Sequence, residues 1–305
     1  MTNFSQALTL QAAATSSGPT RPAAITSAYN QVFFDDFTSN TLATSYAQAA
    51  TNGVNWYWGA NDTAVGATIN TTLLPSQVSN GGSGTVASGS GSVGILQLNP
   101  SSNFGKGDNG GGLLVTIPGG WYNTSPNTNP SSIPSIGCWK HGYFEALMQF
   151  STSPSSPQEA NGWPAFWGWS VEGLPGFGYG SVGGILGGSD DTEVDIMESY
   201  GGIFNNPLNQ AGWAVHYPGG QSGVAGGNAN IDSNWHTYGC LWASTGTNQG
   251  SLSFYYDNVQ IGASVTVGPN TNSTVSSVFE SQHMFLALNT GVGWLTNVDW
   301  VRVWQ

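Results

Sequence analysis

Glu193, Asp195 and Glu198 stand together in the run EVDIME, in a chain of 305 residues that has only 16 acidic and 4 basic side chains. Val194, Ile196 and Met197 lie between them, so the three carboxylates occupy an apolar, strand-like run in which unpaired charge is costly. Like charges this close repel, and at least one proton is held near neutral pH. A general acid needs such a retained proton. Spacing alone leaves two readings, an acid/base site or a set of structural or ion-binding carboxylates. Glu193 and Asp195 are two apart and share a face of a strand, whereas Glu198, five from Glu193, falls on the opposite face if the strand is regular. A β-bulge at Ile196 or Met197 returns Glu198 to the first face, and the acid/base reading requires one.

A second group with chemical potential is the indole series in NGWPAFWGWSV. Period-two alternation puts Trp163, Ala165, Trp167 and Trp169 on one face. Such a face is either sandwich core or a platform for sugar rings, whose C–H faces stack on indole while the N–H reaches hydroxyls. Charge bears on the choice of ligand. A net charge of −12 and a pI near 4.2 repel phosphate and uronate polymers, which argues against nucleic acid, anionic membrane and acidic polysaccharide as partners. A neutral ligand fits. No stretch approaches the roughly 20 apolar residues of a membrane span, and the N-terminus has neither a basic start nor an apolar run of signal-peptide type.

The elements that must position these groups are strands. Long charged helices need Glu, Lys and Arg on their wet faces, and here 44 Gly, 15 Pro and 37 aromatic residues dominate instead (13 Trp, 11 Tyr and 13 Phe). From Val32 onward, short β-branched and aromatic runs alternate with Gly, Ser, Asn and Pro, which predicts a β-sandwich or barrel. Residues 1–30 read as a low-complexity tail or wrap, and residues 31–305 as one domain. The glycine-rich segments 79–94 and 172–189 are longer than a hairpin requires and read as ligand-handling loops or as decoration. Cys138 and Cys240 are the only cysteines, and form either two free thiols or one disulfide.

EVDIME resembles the E-x-D-x-x-E signature of glycoside hydrolase family 16, in the bulged form of its laminarinase-like members. HGYFEALMQF, NGWPAFWGW, WAVHYP, NWHTYGCLW, FYYDNVQIG, MFLALNTGVG and VDWVRVWQ resemble that family's successive strands in its order, over about two thirds of the chain. The resemblance implies a jelly-roll β-sandwich of two antiparallel sheets with a concave substrate cleft. It implies a retaining endo-β-glucanase acting on β-1,3 or mixed β-1,3/1,4 linkages, with Glu193 as nucleophile, Glu198 as general acid/base and Asp195 tuning their charge. Trp167 and Trp169 fall where cleft aromatics stand and His216 on a neighbouring strand. Trp163 and Trp242 complete the expected substrate-binding group.

The resemblance further implies no cofactor for catalysis and a structural calcium site away from the cleft, built from the Asp299 side chain with backbone carbonyls near Asp36 and Gly112. Asn289 and the bulge point to the laminarinase-like side of the family. The low arginine count argues against sulfated or uronate galactans. The chain departs from the family's pattern in SDDTE, before Glu193, and in SSIPSIGCWK, which has no arginine. A transglycosylase on the same fold and a non-catalytic lectin are the alternatives. The expected partner is a neutral polysaccharide, the expected state a secreted monomer.

Overall fold

Strands of this chain are short because turn residues interrupt the apolar runs every few positions, and many of them are buried on both faces. The computed structural model describes residues 21–45, 48, 50–58, 67–70, 94–98, 113–118, 137–150, 164–171, 192–199, 210–217, 220–268, 277–290 and 295–305. In chain order the strands are β1 (Gln31–Asp35), β2 (Tyr57–Trp58), β3 (Ala67–Asn70), β4 (Ile95–Leu98), β5 (Leu113–Val115), β6 (Cys138–Trp139), β7 (Gly142–Phe150) and β8 (Ala165–Ser170). Then follow β9 (Glu193–Glu198), β10 (Gln210–Tyr217), β11 (Gly220–Asn230), β12 (His236–Gly246), β13 (Gln249–Tyr256), β14 (Val259–Val267), β15 (Met284–Asn289) and β16 (Thr296–Trp304). A 3₁₀ turn, Ser277–Ser281, precedes β15.

Two antiparallel sheets form a jelly-roll sandwich, as expected. The first sheet runs β14-β13-β12-β7-β16-β4-β3, with β1 also paired to β16; the second runs β11-β10-β9-β8-β15-β5-β2, with β6 also paired to β15. The chain crosses repeatedly between sheets, so β15 and β16, late in sequence, lie in the middle of the second and first sheets respectively. Among the described residues no helix is long and apolar enough to cross a membrane.

The main core lies between the sheets. Phe144, Ala146 and Met148 of β7 and Val298, Val301 and Val303 of β16 belong to one buried cluster with Phe166 of β8, Val194, Ile196 and Met197 of β9, and Leu286 and Leu288 of β15. On the other face of the first sheet, Arg302 donates from Nε to Glu145 Oε2 at 2.7 Å, and the Tyr143 hydroxyl donates to Glu145 Oε1 at 3.0 Å. Ile25 packs there with Tyr143 and Trp304, and Asn30 and Gln305 exchange backbone hydrogen bonds of 2.6 and 2.8 Å. The part of the expected N-terminal wrap that is described, residues 21–30, therefore lies against the first sheet. The outer face of the second sheet is also apolar in its middle, where Tyr57, Val115, Ala165, Trp167, Trp169 and Phe285 form a separate cluster. Both cysteines are free thiols, with Cys240 buried and Cys138 partly so.

Candidate active site

β9 carries the bulge that the carboxylate spacing demands. On its β8 side, Trp169 pairs with Glu193 and Trp167 with Asp195, but Phe166 pairs with Met197 and Ala165 with Glu198, so Ile196 is the extra residue. The β10 side shows the same slip: His216 opposes Glu193, Ala214 opposes Asp195 and Gly212 opposes Glu198. Ile196 and Met197 consequently both enter the inter-sheet core. Cross-strand partners share a face, so Glu193, Asp195 and Glu198 stand on the outer face of the second sheet with Trp169, Trp167 and Ala165.

The face is organised in rows across the strands. Glu193 stands between Trp169 and His216, Asp195 between Trp167 and Ala214, and Glu198 between the small residues Ala165 and Gly212. The rows of Glu193 and Glu198 are four β8 residues apart, about 13 Å at strand rise, with the shorter Asp195 in the middle row. Two glutamate side chains leaning toward each other over an aspartate can bracket a single bond of a ligand. All three carboxylates are buried, Glu193 and Glu198 at 9 % exposure and Asp195 at 2 %.

His216 Nε2 lies 3.1 Å from Asp195 Oδ2, and the ionisable atoms of Glu193, Asp195 and His216 all fall within 4.8 Å of one another. Burial pushes the Asp195 carboxyl above its ordinary range, and the neighbouring His216 imidazole draws it back. Sequence reasoning placed His216 near the cleft but missed this link. The partnership of Asp195 with a residue 21 positions later is fixed by strand register, for which the local sequence has no signal.

The indoles differ from open platforms. Trp167 and Trp169 are only 7 % and 8 % exposed, with ring centroids 5.9 Å apart and planes tilted by 47°, so they form a floor packed among apolar neighbours. Trp167 donates from Nε1 to Asn289 Oδ1 at 2.6 Å, which fixes its ring. The Trp169 indole nitrogen is buried without a hydrogen-bond partner.

Trp242 corrects the expected substrate-binding group. It belongs to β12 of the first sheet, is 1 % exposed inside the inter-sheet core, and donates its indole N–H to Glu280 Oε1 at 2.7 Å. Glu280 in turn holds His141 Nε2 at 2.6 Å. Alternation along β12 turned this indole inward, where a buried carboxylate satisfies it. Trp163 and the segment 172–189 lie outside the described residues, as does Gly112.

Of the expected calcium ligands, Asp36 and Asp299 lie among the described residues. Asp299 is the extra residue of a second bulge, in β16, where Val298 pairs with Met148 and Trp300 with Leu147. Its carboxylate is buried, and neither oxygen has a hydrogen-bond partner. Burial first, then the charge of Asp36, raise this carboxyl to about 7. Nearby, Phe37 is held at φ +54°, and a Cβ at Gly94 would come within 1.9 Å of the Phe37 carbonyl oxygen, so the backbone packs closely there. An orphaned buried carboxylate beside a second aspartate fits a hard cation with oxygen ligands.

No protein-family model matches the chain, and no curated protein matches its sequence. Among solved structures the chain is similar to SCLam, a non-specific endo-β-1,3(4)-glucanase from family GH16, at 17 % identity and a TM-score of 0.48, over 95 % of this chain and 96 % of that one. It is also similar to an endo-1,3-β-glucanase from Streptomyces sioyaensis, at 21 % identity and a TM-score of 0.49, over 92 % and 97 %. A third is a prokaryotic β-1,3-1,4-glucanase (lichenase) derived from a mouse hindgut metagenome, at 12 % identity and a TM-score of 0.40, over 89 % and 97 %.

Proposed function

We propose that this chain is a retaining glycoside hydrolase that cleaves a neutral β-glucan, at β-1,3 or mixed β-1,3/1,4 linkages, in an endo fashion. The observation that carries the reading is the Ile196 bulge, which brings three buried carboxylates onto one face beside two indoles. Glu193 attacks the anomeric carbon while Glu198 protonates the leaving oxygen; Glu198 then takes a proton from water, which releases the glycosyl-enzyme with net retention. Asp195 holds negative charge between them. Retention requires the two outer carboxyl groups about 5–5.5 Å apart, with no room for an interposed water. Trp167 and Trp169 supply the apolar floor, and His216 completes the polar wall beside Glu193. A polymer of this kind is met outside the cell, which places the protein there.

The test is product analysis on laminarin, lichenan and curdlan. Wild type is expected to release a ladder of oligosaccharides with retained anomeric configuration, while Glu193→Gln gives none. Products longer than the donor chain support the transglycosylase alternative, and binding without cleavage the lectin.

Calcium belongs to the same proposal as a structural ion, with Asp299 supplying carboxylate oxygen and the segment around Asp36 the neighbouring donors. When bound it neutralises a buried anion and takes no part in catalysis. Calcium is expected to raise Tm by about 5 °C over a chelator-treated sample, given the size of the domain and saturating metal. In Asp299→Asn the two conditions should coincide. A wild-type Tm indifferent to both calcium and chelator removes the ion from the proposal.

A further inference from the structure

His236 opens β12 at the point where the chain, having left β11 of the second sheet, enters the first. Both of its ring nitrogens face carboxylates: Nδ1 lies 2.7 Å from Asp257 Oδ2 and Nε2 lies 3.2 Å from Asp232 Oδ1. Only the imidazolium has a proton on each nitrogen, so only that form donates to both acids at once. Asp232 belongs to the crossing itself, where its carbonyl accepts from the Phe150 amide at 2.9 Å and its Oδ1 from the Asn234 amide at 2.7 Å. Asp257 begins the turn between β13 and β14, in which it and Asn258 both adopt positive φ, +48° and +64°. Its Oδ1 accepts from the Thr237 amide at 3.0 Å. A third group completes the set. The Tyr256 hydroxyl lies 2.8 Å from the same Nδ1 that faces Asp257, and a neutral ring, protonated on Nε2 toward Asp232, accepts a hydrogen bond from it there.

We propose that His236 is a pH-operated latch on this crossing: in acid its imidazolium ties Asp232 to Asp257, and on deprotonation Nδ1 exchanges Asp257 for the Tyr256 hydroxyl, which frees the β13–β14 turn. The inference stands apart from the hydrolase reading and uses none of the catalytic carboxylates. Burial alone lowers the imidazole, but the hydrogen bond and charge of Asp257, then the charge and hydrogen bond of Asp232, outweigh it and raise the group above its ordinary value. Stabilisation by the latch is therefore complete below about pH 6.5, where a released imidazole is charged as well, and is lost as pH rises through the closed-state midpoint. Among the described residues the ionisable groups packed round the ring are Asp232, Asp257, Tyr256 and Tyr238, whose ring lies 5.6 Å from that of Tyr256. Burial pushes both tyrosine hydroxyls up, so they stay neutral while the imidazole titrates. Met148, opposite His236 on β7, has no charge.

The experiment follows the 4 imidazoles of the full chain by NMR against pH, with the His236 resonance assigned by its loss in His236→Gln. If that variant does not fold, the same resonance is identified as the one displaced in both Asp257→Asn and Tyr256→Phe. The wild-type midpoint is expected above the ~6.5 of a free imidazole, with the neutral ring protonated on Nε2. Asp257→Asn should lower the midpoint by removing an anion from Nδ1. Tyr256→Phe should raise it, since the neutral ring then loses its donor. A wild-type midpoint at or below ~6.5, or the opposite tautomer, overturns the latch, and so does a midpoint that stays put or falls in Tyr256→Phe. Amide exchange reads the structural consequence. Once corrected for the pH dependence of exchange in an unstructured chain, opening at Thr237 should rise by about tenfold for each unit that separates the closed and open midpoints. Asn234, held by the acid that keeps its partner, should change less. Equal changes at the two amides, or none at Thr237, overturn the exchange of partners.

Discussion

Glu193→Ala is expected to lose glucan cleavage by at least about 10⁴-fold, and added azide to restore cleavage of an activated aryl glycoside with inverted configuration. Removing the nucleophile leaves a space beside Trp169 and His216 that a small anion can enter, and its attack on the anomeric carbon is a single displacement. Glu198→Ala should lose about 10²–10⁴-fold on polymer, the usual contribution of a general acid, and much less on a glycoside whose leaving group needs no proton. There azide intercepts a glycosyl-enzyme that still forms on Glu193, so the product retains configuration. The two opposite stereochemical outcomes, read by proton NMR of the glycosyl azide, distinguish nucleophile from acid without relying on the size of either loss. If both variants give the same configuration, the roles are wrongly assigned; if neither loses activity, there is no hydrolase here.

The second large effect comes from shortening β9 by one residue at either of two places. Deleting Ile196 removes the bulge residue itself, and simple alternation then keeps Glu193, Asp195 and Glu198 all on the outer face. Such a protein should fold, at the stability cost of one buried isoleucine, about 2–5 kcal/mol, and keep measurable cleavage. Deleting Val194 leaves the bulge in place and turns Glu193 inward, toward the apolar space that Val194 lines with Phe144 and Trp242. An unpaired carboxylate there costs on the order of 3–5 kcal/mol, and cleavage should fall to background in whatever folds. Chemical denaturation together with glucan turnover checks both. Turnover surviving the Val194 deletion would exclude Glu193 as the nucleophile. A folded Ile196 deletion with no turnover would show that the bulge aims Glu198 as well as placing it.

What the sequence makes legible here is what alternation and charge can reach. The carboxylate run, the need for a bulge near Ile196, and the shared face of Trp167 and Trp169 all follow from a two-residue side-chain period within one strand. So does the two-sheet architecture, from short apolar runs punctuated by Gly, Asn and Pro. Alternation does not say which of a strand's two faces is the inner one when both are apolar, and there the reading of Trp242 fails. β12 buries that indole between the sheets, where Glu280 satisfies it. The same ambiguity hides how deeply Trp167 and Trp169 sit, because the outer face of the second sheet has an apolar cluster of its own. Register is illegible for a different reason. The meeting of His216 with Asp195 depends on how β10 slides against β9, a choice made by packing over the whole sheet. The orphaned carboxylate of Asp299 is likewise invisible in VDWVRVW, where an aspartate among apolar residues resembles any strand-edge turn.

The placement of β15 and β16 at the centres of their sheets bears on how the molecule is assembled. β16 joins β7, β4 and β1, and β15 joins β8, β5 and β6, so each closes contacts with segments made more than a hundred residues earlier. Until residues 284–304 are in place, β7 and β4 have no common neighbour and β8 faces an open slot, leaving long unpaired edges in the nascent chain. Pairings this distant in sequence bring large loop-closure entropy before they return any stabilisation, which makes folding slow. The catalytic face inherits that order of events, since β9 and β10 can form their hairpin early but the floor under Trp167 is complete only when Asn289 arrives.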